Sequence, residues 1–239
     1  MKDCTLKKNT ADNLPISSIT PFTLQDFPDF TACILWFSKC NFRCSYCYNI
    51  DLVKNKLKYL RFLEIEKFLI EHKNLLDGVV LSGGECTLFK NLPELIRYIR
   101  GFGYKVKLDT NGSNPKILDK LLEENLLDFI SLDYKAPIYK YSEITKYNFS
   151  DNILRSLVIL CNSRVNFEVR TTVHTDLLNE EDINNIIEFL EEKHFTGKYY
   201  VQNYMHQITL GELSPQKRAL DLALLKEPKN FSIDFRNFH

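Results

Sequence analysis

The stretch CNFRCSYCYN, residues 40–49, places Cys40, Cys44 and Cys47 within eight positions, directly after the apolar run TACILWFS (31–38). Thiols at spacings of four and three residues let one loop wrap a single ligand, and three chemistries could use them. Structural zinc takes four ligands, commonly from paired knuckles. Cys86 or His72 could supply the fourth, but neither belongs to a recognisable partner pair. A thioredoxin-like redox centre needs C-x-x-C at a helix start. Cys44 and Cys47 have that spacing, and Cys40 is then left over. An iron–sulfur cluster takes four cysteines as a rule. Three would leave one iron open to a small molecule, as catalytic zinc keeps one position open.

The segments around this loop alternate. Strand patterns are read at 31–38, 78–82, 104–110, 128–134, 166–174 and 198–204. Helical spacing falls between them at 61–76, 91–103, 114–127, 151–163 (with Asp151 as N-cap) and 179–193. Such alternation implies a parallel sheet with right-handed crossovers. It fits an α/β fold, either an open doubly wound sheet or an incomplete β/α barrel. Residues 1–15 are polar and expected to be loosely ordered, and 16–29 read as a strand or hairpin lead-in. The tail reads as a helix at about 215–226 and a last strand, FSIDFR, at 231–236. One domain is expected over 1–239: a lead-in (1–29), a core (30–206) and an extension (207–239).

Parallel α/β folds carry their sites at the C-terminal ends of strands, and that is where the unusual residues fall. The cysteines follow the first strand, SGGE (82–85) the second, DTNG (109–112) the third and LDYK (132–135) the fourth. Arg170 and His174 lie in the second half of the fifth, and Gln202 to His206 end the sixth. The expectation is one shared mouth. Gly83 and Gly84 would let backbone approach a ligand closely. Asp109 and Thr110 end a strand, with Asn111–Gly112 as a turn signal. Asp133 and Lys135, two apart on a strand, share a face, where they could hold a ligand or simply form a rim ion pair. Arg170, in an otherwise apolar strand, needs an anionic partner. His174 reads as structural; Gln202, Asn203 and His206 compete for one ligand contact. KNKLKYLR (54–61) reads as a solvated face. Cys4, Cys33 and Cys161 read as isolated thiols.

The 239 residues carry 31 basic and 31 acidic side chains. A net charge of zero argues against a broad nucleic-acid face or a membrane-surface role. No apolar run reaches the length of a membrane span, and the N-terminus lacks the apolar stretch of a signal peptide. A cytoplasmic protein with reduced thiols is expected, and seven cysteines fit no complete disulfide framework.

The cysteine loop resembles the C-x-x-x-C-x-aromatic-C loop of the radical S-adenosylmethionine (SAM) superfamily, and LSGGEC (81–86) resembles its GGE motif, with Cys86 where Pro is usual. Within the superfamily, SSITPFTLQDFPDF, KVKLDTNGSNP, DFISLDYKAP and VRTTVH resemble activating enzymes of anaerobic ribonucleotide reductase and their pyruvate formate-lyase-activating relatives. Two positions depart: Asp29 stands where Gly is frequent, and Tyr48 where His is frequent. The resemblance implies a partial (β/α)6 barrel and a 4Fe–4S cluster on Cys40, Cys44 and Cys47 with one open iron. It implies SAM bound by Tyr46, Gly83, Gly84, Glu85, Asp109, Thr110, Asn111, Asp133, Lys135, Arg170 and His206. Tyr46 would lie by the adenine, the GGE turn would receive the methionine amino group, and Cys86 would be a small apolar substitute. The implied reaction is reductive cleavage of SAM to a 5′-deoxyadenosyl radical, which makes a glycyl radical on a partner reductase. The electron would come from an external donor such as flavodoxin or ferredoxin. Other readings are a small-molecule enzyme of the 7-carboxy-7-deazaguanine synthase kind, and a zinc or iron–sulfur binding or electron-transfer module without SAM.

Overall fold

The computed structural model describes residues 6–11 and 14–238; Cys4 lies outside them. The fold is α/β, and its residues group into two compact units. The first takes the described residues of Met1–Asn41, Asp51–Thr110 and Lys116–Ile130. The second takes Phe42–Ile50, Asn111–Pro115 and the described residues of Ser131–His239.

In the first unit β1 (Ile16–Thr23) pairs antiparallel with β2 (Ala32–Phe37). β2 pairs in parallel with β3 (Gly78–Gly83), and β3 with β4 (Lys105–Thr110). The register aligns Ala32 with Gly78 and Gly78 with Lys105, so these three strands end close to level. The continuous apolar runs ACILWF and GVVL are buried, the pattern of parallel strands covered on both faces. Ala32, Ile34, Val80 and Phe27 form a core cluster, with Phe30, Trp36 and Phe129 packed against it. The helices are α1 (Lys8–Ala11), α2 (Ile50–Val53), α3 (Phe62–His72), α4 (Leu92–Gly101) and α5 (Pro115–Glu123). Pro93 near the start of α4 suits a helix N-terminus, where its missing N–H costs nothing. Asp29, in place of a frequent glycine, sits at φ 66°, a left-handed position that Asp tolerates better than most residues.

β5 (Phe129–Asp133) begins in the first unit and ends in the second. There β6 (Asn166–Val173), β7 (Lys198–Asn203) and β8 (Ser232–Arg236) are parallel, with Val169 opposite Tyr199 and Tyr199 opposite Ile233. The helices are α6 (Ile138–Thr145), α7 (Ser150–Cys161) and α8 (Glu180–Glu192). Tyr134 packs on Tyr141 and Phe189, with centroids 5.9 Å apart in each case. No helix among the described residues is long and apolar enough to cross a membrane.

The structure corrects two expectations and adds one helix. Asp151 is not an N-cap: it lies in the first turn of α7, and Phe149 stands at the cap position without a side-chain bond. α6 was not read from the sequence; it follows Pro137 and stops at Lys146 in the left-handed region. The helix expected at 215–226 is replaced by a 3₁₀ turn at Leu222–Leu224. Its backbone is satisfied by α8 instead. Asp221 N–H donates to Glu180 Oε1 (2.8 Å), Lys226 N–H to Asn184 Oδ1 (2.7 Å), and Asn184 Nδ2 to Leu224 O (3.0 Å). Arg218 adds a bidentate pair to Glu180, at 2.6 and 2.8 Å.

These bonds, led by that from Arg218, hold the Glu180 carboxyl down at about 2. A lowered carboxyl pKa stabilises the fold above the unfolded value, and that stability is lost as pH falls through the folded value. The higher unfolding midpoint of wild type over Arg218→Ala is therefore expected to be full above about pH 4.5 and to fade towards pH ~2. Thermal unfolding of the two proteins across that range measures it.

Candidate active site

In the first unit the chain leaves β2 through Ser38 and Lys39, which has φ 76° and donates its N–H to Leu52 O (2.8 Å). The next residue is Cys40, half-buried. The GGE turn lies against this exit. Gly84 N–H donates to Phe37 O and Glu85 N–H to Lys39 O, each at 2.8 Å. Gly83 has φ 118°, and a Cβ there would lie 2.6 Å from Phe37 O. A Cβ on Gly84 would lie 1.9 Å from Lys39 O. The two glycines thus permit a close approach of chain to chain.

Glu85 is buried, and its Oε1 accepts from Thr87 N–H (3.1 Å), Thr87 Oγ1 (2.5 Å) and Thr110 Oγ1 (2.8 Å). It ties the turn to the end of β4. Cys86 is fully buried with its Sγ 3.7 Å from Ser82 O, and burial pushes its thiol well up. Asp109 accepts from Ser82 Oγ (2.9 Å) and from Lys107 Nζ. Lys107 is buried, with Phe129 6.0 Å from its ammonium. The sequence reading missed this lysine; a cation two residues before Asp109 on the same strand face was the available signal. A cavity of about 250 Å³ in this unit is lined by Pro15, Ser38, Lys39, Tyr59, Glu85, Leu88 and Phe89.

The second unit holds the rest of the cysteine loop. Cys44 is buried and Cys47 half-buried, joined by a turn in which Cys47 N–H donates to Cys44 O (3.1 Å). Burial pushes the Cys44 thiol up to about 11, against the pull of the Lys135 ammonium. Tyr46 is buried with its ring 6.0 Å from Lys135 Nζ, and its hydroxyl has no hydrogen-bond partner among the described residues. Asp133 stands between two cations, with Oδ2 3.0 Å from Lys135 Nζ and Oδ1 2.9 Å from Arg170 Nε. Glu168, a second residue that sequence reasoning passed over, is 3.9 Å from Arg170 Nη1 and accepts from Ser131 Oγ (2.7 Å). Arg170 thus has its anionic partners within the chain.

Asn111 Oδ1 accepts from Ser113 N–H (2.9 Å) and Gly112 has φ 72°, so this pair forms the turn its sequence signals. His174 is structural. Asp176 N–H donates to its Nδ1 (3.2 Å), which leaves Nε2–H to donate to Ser214 O (2.9 Å). Asn203 is engaged by Gln216 Nε2 (2.9 Å) and donates to Asn237 O (3.1 Å), whereas Gln202 is half-buried and His206 exposed. Among the described residues, no three His, Cys, Asp or Glu side chains are grouped to hold a metal ion.

A Methanocaldococcus jannaschii protein, provisionally named a glycyl-radical enzyme activating enzyme, is 30% identical over 184 residues, 74% of this chain and 75% of that one. A GTP 3′,8-cyclase of Synechocystis is 36% identical over 157 residues, 63% of this chain and 47% of the relative. The chain thus spans three quarters of the first relative but only about half of the second. Among solved structures, Streptococcus suis SuiB bound to S-adenosylmethionine shares the fold at a TM-score of 0.65 and 17% identity, covering 86% of this chain and 52% of SuiB. The sequence profile of the radical SAM superfamily matches residues 34–191, from within β2 to the end of α8. On that match the chain belongs to the radical SAM superfamily.

Proposed function

We propose that the chain activates a glycyl radical enzyme, an anaerobic ribonucleotide reductase, using SAM and a 4Fe–4S cluster held by Cys40, Cys44 and Cys47. The observation that carries the glycyl-radical part of this reading is the relative provisionally named a glycyl-radical enzyme activating enzyme, matched over three quarters of both chains. A second M. jannaschii protein of the same provisional name, 31% identical over 170 residues, adds support.

The residue types present suit the two groups. Three cysteines on one loop are a soft thiolate set of the kind that takes iron–sulfur clusters. Buried Tyr46, with its unpartnered hydroxyl, offers a ring face and a polar atom to an adenine. SAM on the reduced cluster supplies one-electron chemistry strong enough to remove a hydrogen atom from carbon, here a glycine Cα–H. The chain's own work is placement. The GGE turn fixes where the cysteine loop starts. Lys135, Asp133 and Arg170 form a charged ledge that would orient the methionine carboxylate and ribose hydroxyls by exchanging partners with Asp133. The electron enters from an external flavodoxin or ferredoxin.

A second reading, a small-molecule radical enzyme, is favoured by the 36% identity to GTP 3′,8-cyclase. The two part at the hydrogen donor. After anaerobic reconstitution and reduction, wild type is expected to form 5′-deoxyadenosine from SAM. Cys44→Ala is expected to lose both the iron and the product. Mixed with the reductase, wild type is expected to give a glycyl-radical signal in electron paramagnetic resonance. SAM cleavage without that signal, in the presence of a competent reductase, would favour the small-molecule reading. Absence of SAM cleavage from an iron-loaded, reduced protein would sink both. Gly84→Ala, which forces a Cβ onto Lys39 O, is expected to lose ~3 kcal/mol or more in denaturant unfolding and to take up less iron.

A further inference from the structure

Tyr48, where His is frequent in the resembling family, directly follows Cys47. Its hydroxyl donates to Met205 O and accepts from Met205 N–H, both at 2.8 Å. Its ring stacks on Tyr204, with centroids 5.8 Å apart and planes 16° from parallel. Two backbone bonds continue the contact: Leu210 N–H to Cys47 O (2.9 Å) and Gly211 N–H to Ser45 O (2.8 Å). Gly211 permits this approach, since a Cβ there would lie 2.7 Å from Ser45 Cβ and 2.9 Å from its Cα. The segment 204–211 therefore lies across residues 45–48 and is fastened at both ends. Its tip, Met205 to Ile208, faces solvent, with Ile208 82% exposed. Below the tip, Tyr204 N–H donates to Val173 O (2.8 Å) and the Tyr204 ring packs on His174, which anchors the segment to β6.

We propose that Tyr48 is a positioning residue for the cluster. It clasps the segment after β7 over the cysteine loop and so holds Cys44 and Cys47 ready for the cluster. This rests on the reading that the three cysteines hold a cluster. An unclasped loop loses backbone freedom when it takes up its ligand, and a loop already fastened by four hydrogen bonds and a ring stack has lost it beforehand. Tyr48 is itself partly exposed, so its hydroxyl is not needed to fill the core. The coupling runs both ways: a bound cluster should slow the opening of 205–211.

The test compares wild type with Tyr48→Phe, which keeps the stack and loses both hydroxyl bonds, and Tyr48→Leu, which loses both features. Tyr139→Phe is the control; it also deletes two hydroxyl bonds, one given to Asp182 (2.7 Å) and one accepted from Asn185 Nδ2 (3.1 Å), far in sequence from the cysteine loop. Amide exchange of residues 205–211 is followed in the cluster-free protein. Iron release to a chelator is followed by the visible absorbance of the reconstituted protein, and the unfolding midpoint is recorded for each. Tyr48→Phe is expected to speed exchange at Met205, Leu210 and Gly211 and iron release by about tenfold each, for two lost hydrogen bonds. Tyr48→Leu should do more, and Tyr139→Phe should leave iron release unchanged. Equal iron release from wild type and Tyr48→Phe would overturn the clasp alone. So would faster release shared by Tyr139→Phe in step with its midpoint. A folded wild type that takes up no iron would overturn the cluster reading, and the clasp's role with it.

Discussion

The first unit is organised by the closeness of two backbones. The exit from β2 and the turn after β3 come together at Lys39 and Gly84, with no room for a side chain between them. Glycine in such a place costs conformational entropy on folding. Two hydrogen bonds, Gly84 to Phe37 and Glu85 to Lys39, offset part of that cost. The contact fixes the start of the cysteine loop at Cys40. Glu85 then extends the constraint to β4, because its buried carboxylate accepts from hydroxyls on both the turn and Thr110. A buried carboxylate without such donors would be strongly disfavoured. The GGE sequence is therefore a structural joint.

Charge is the corresponding constraint at the strand ends. Lys107 with Asp109 in the first unit, and Lys135, Asp133, Arg170 and Glu168 in the second, are ion pairs with little solvent access. Removing one partner of a buried pair costs about 3–5 kcal/mol, whereas an exposed pair such as Arg61–Glu64 is screened by solvent and contributes little. The buried sets are thus committed. Both oxygens of Asp133 face cations.

The alternation of strands and helices was legible because parallel strands are uniformly apolar and the helices between them carry a 3.6-residue period. ACILWF and LPELIRYIRG illustrate the contrast. α6 was not legible, since IYKYSEIT is short, rich in β-branched and aromatic residues, and shows no clean stripe. At the site, the residue types were legible and their partners were not. Arg170 announced a need for an anion, but nothing local in the sequence says that Asp133, 37 residues away, meets it. Lys107 and Glu168 hid inside mixed strand patterns, each a buried charge among other polar residues. The glycines of GGE were legible as an approach point, though not for what approaches.

The tail shows how tertiary bonds override local preference. LDLALLKE has leucines and helix formers enough to suggest a helix, yet Leu222 and Leu224 remain exposed and the backbone bonds go to Glu180 and Asn184. A short isolated helix is marginal in water, because nucleation fixes several residues for a single bond. Preformed acceptors and donors on α8 need no such nucleus, so the segment settles extended along it. The same logic holds for 204–211, whose amides meet carbonyls of the cysteine loop. Segments stabilised in this way take their order from the surfaces they lie on. Whatever firms the cysteine loop therefore firms the segment across it, and the segment firms the loop in return.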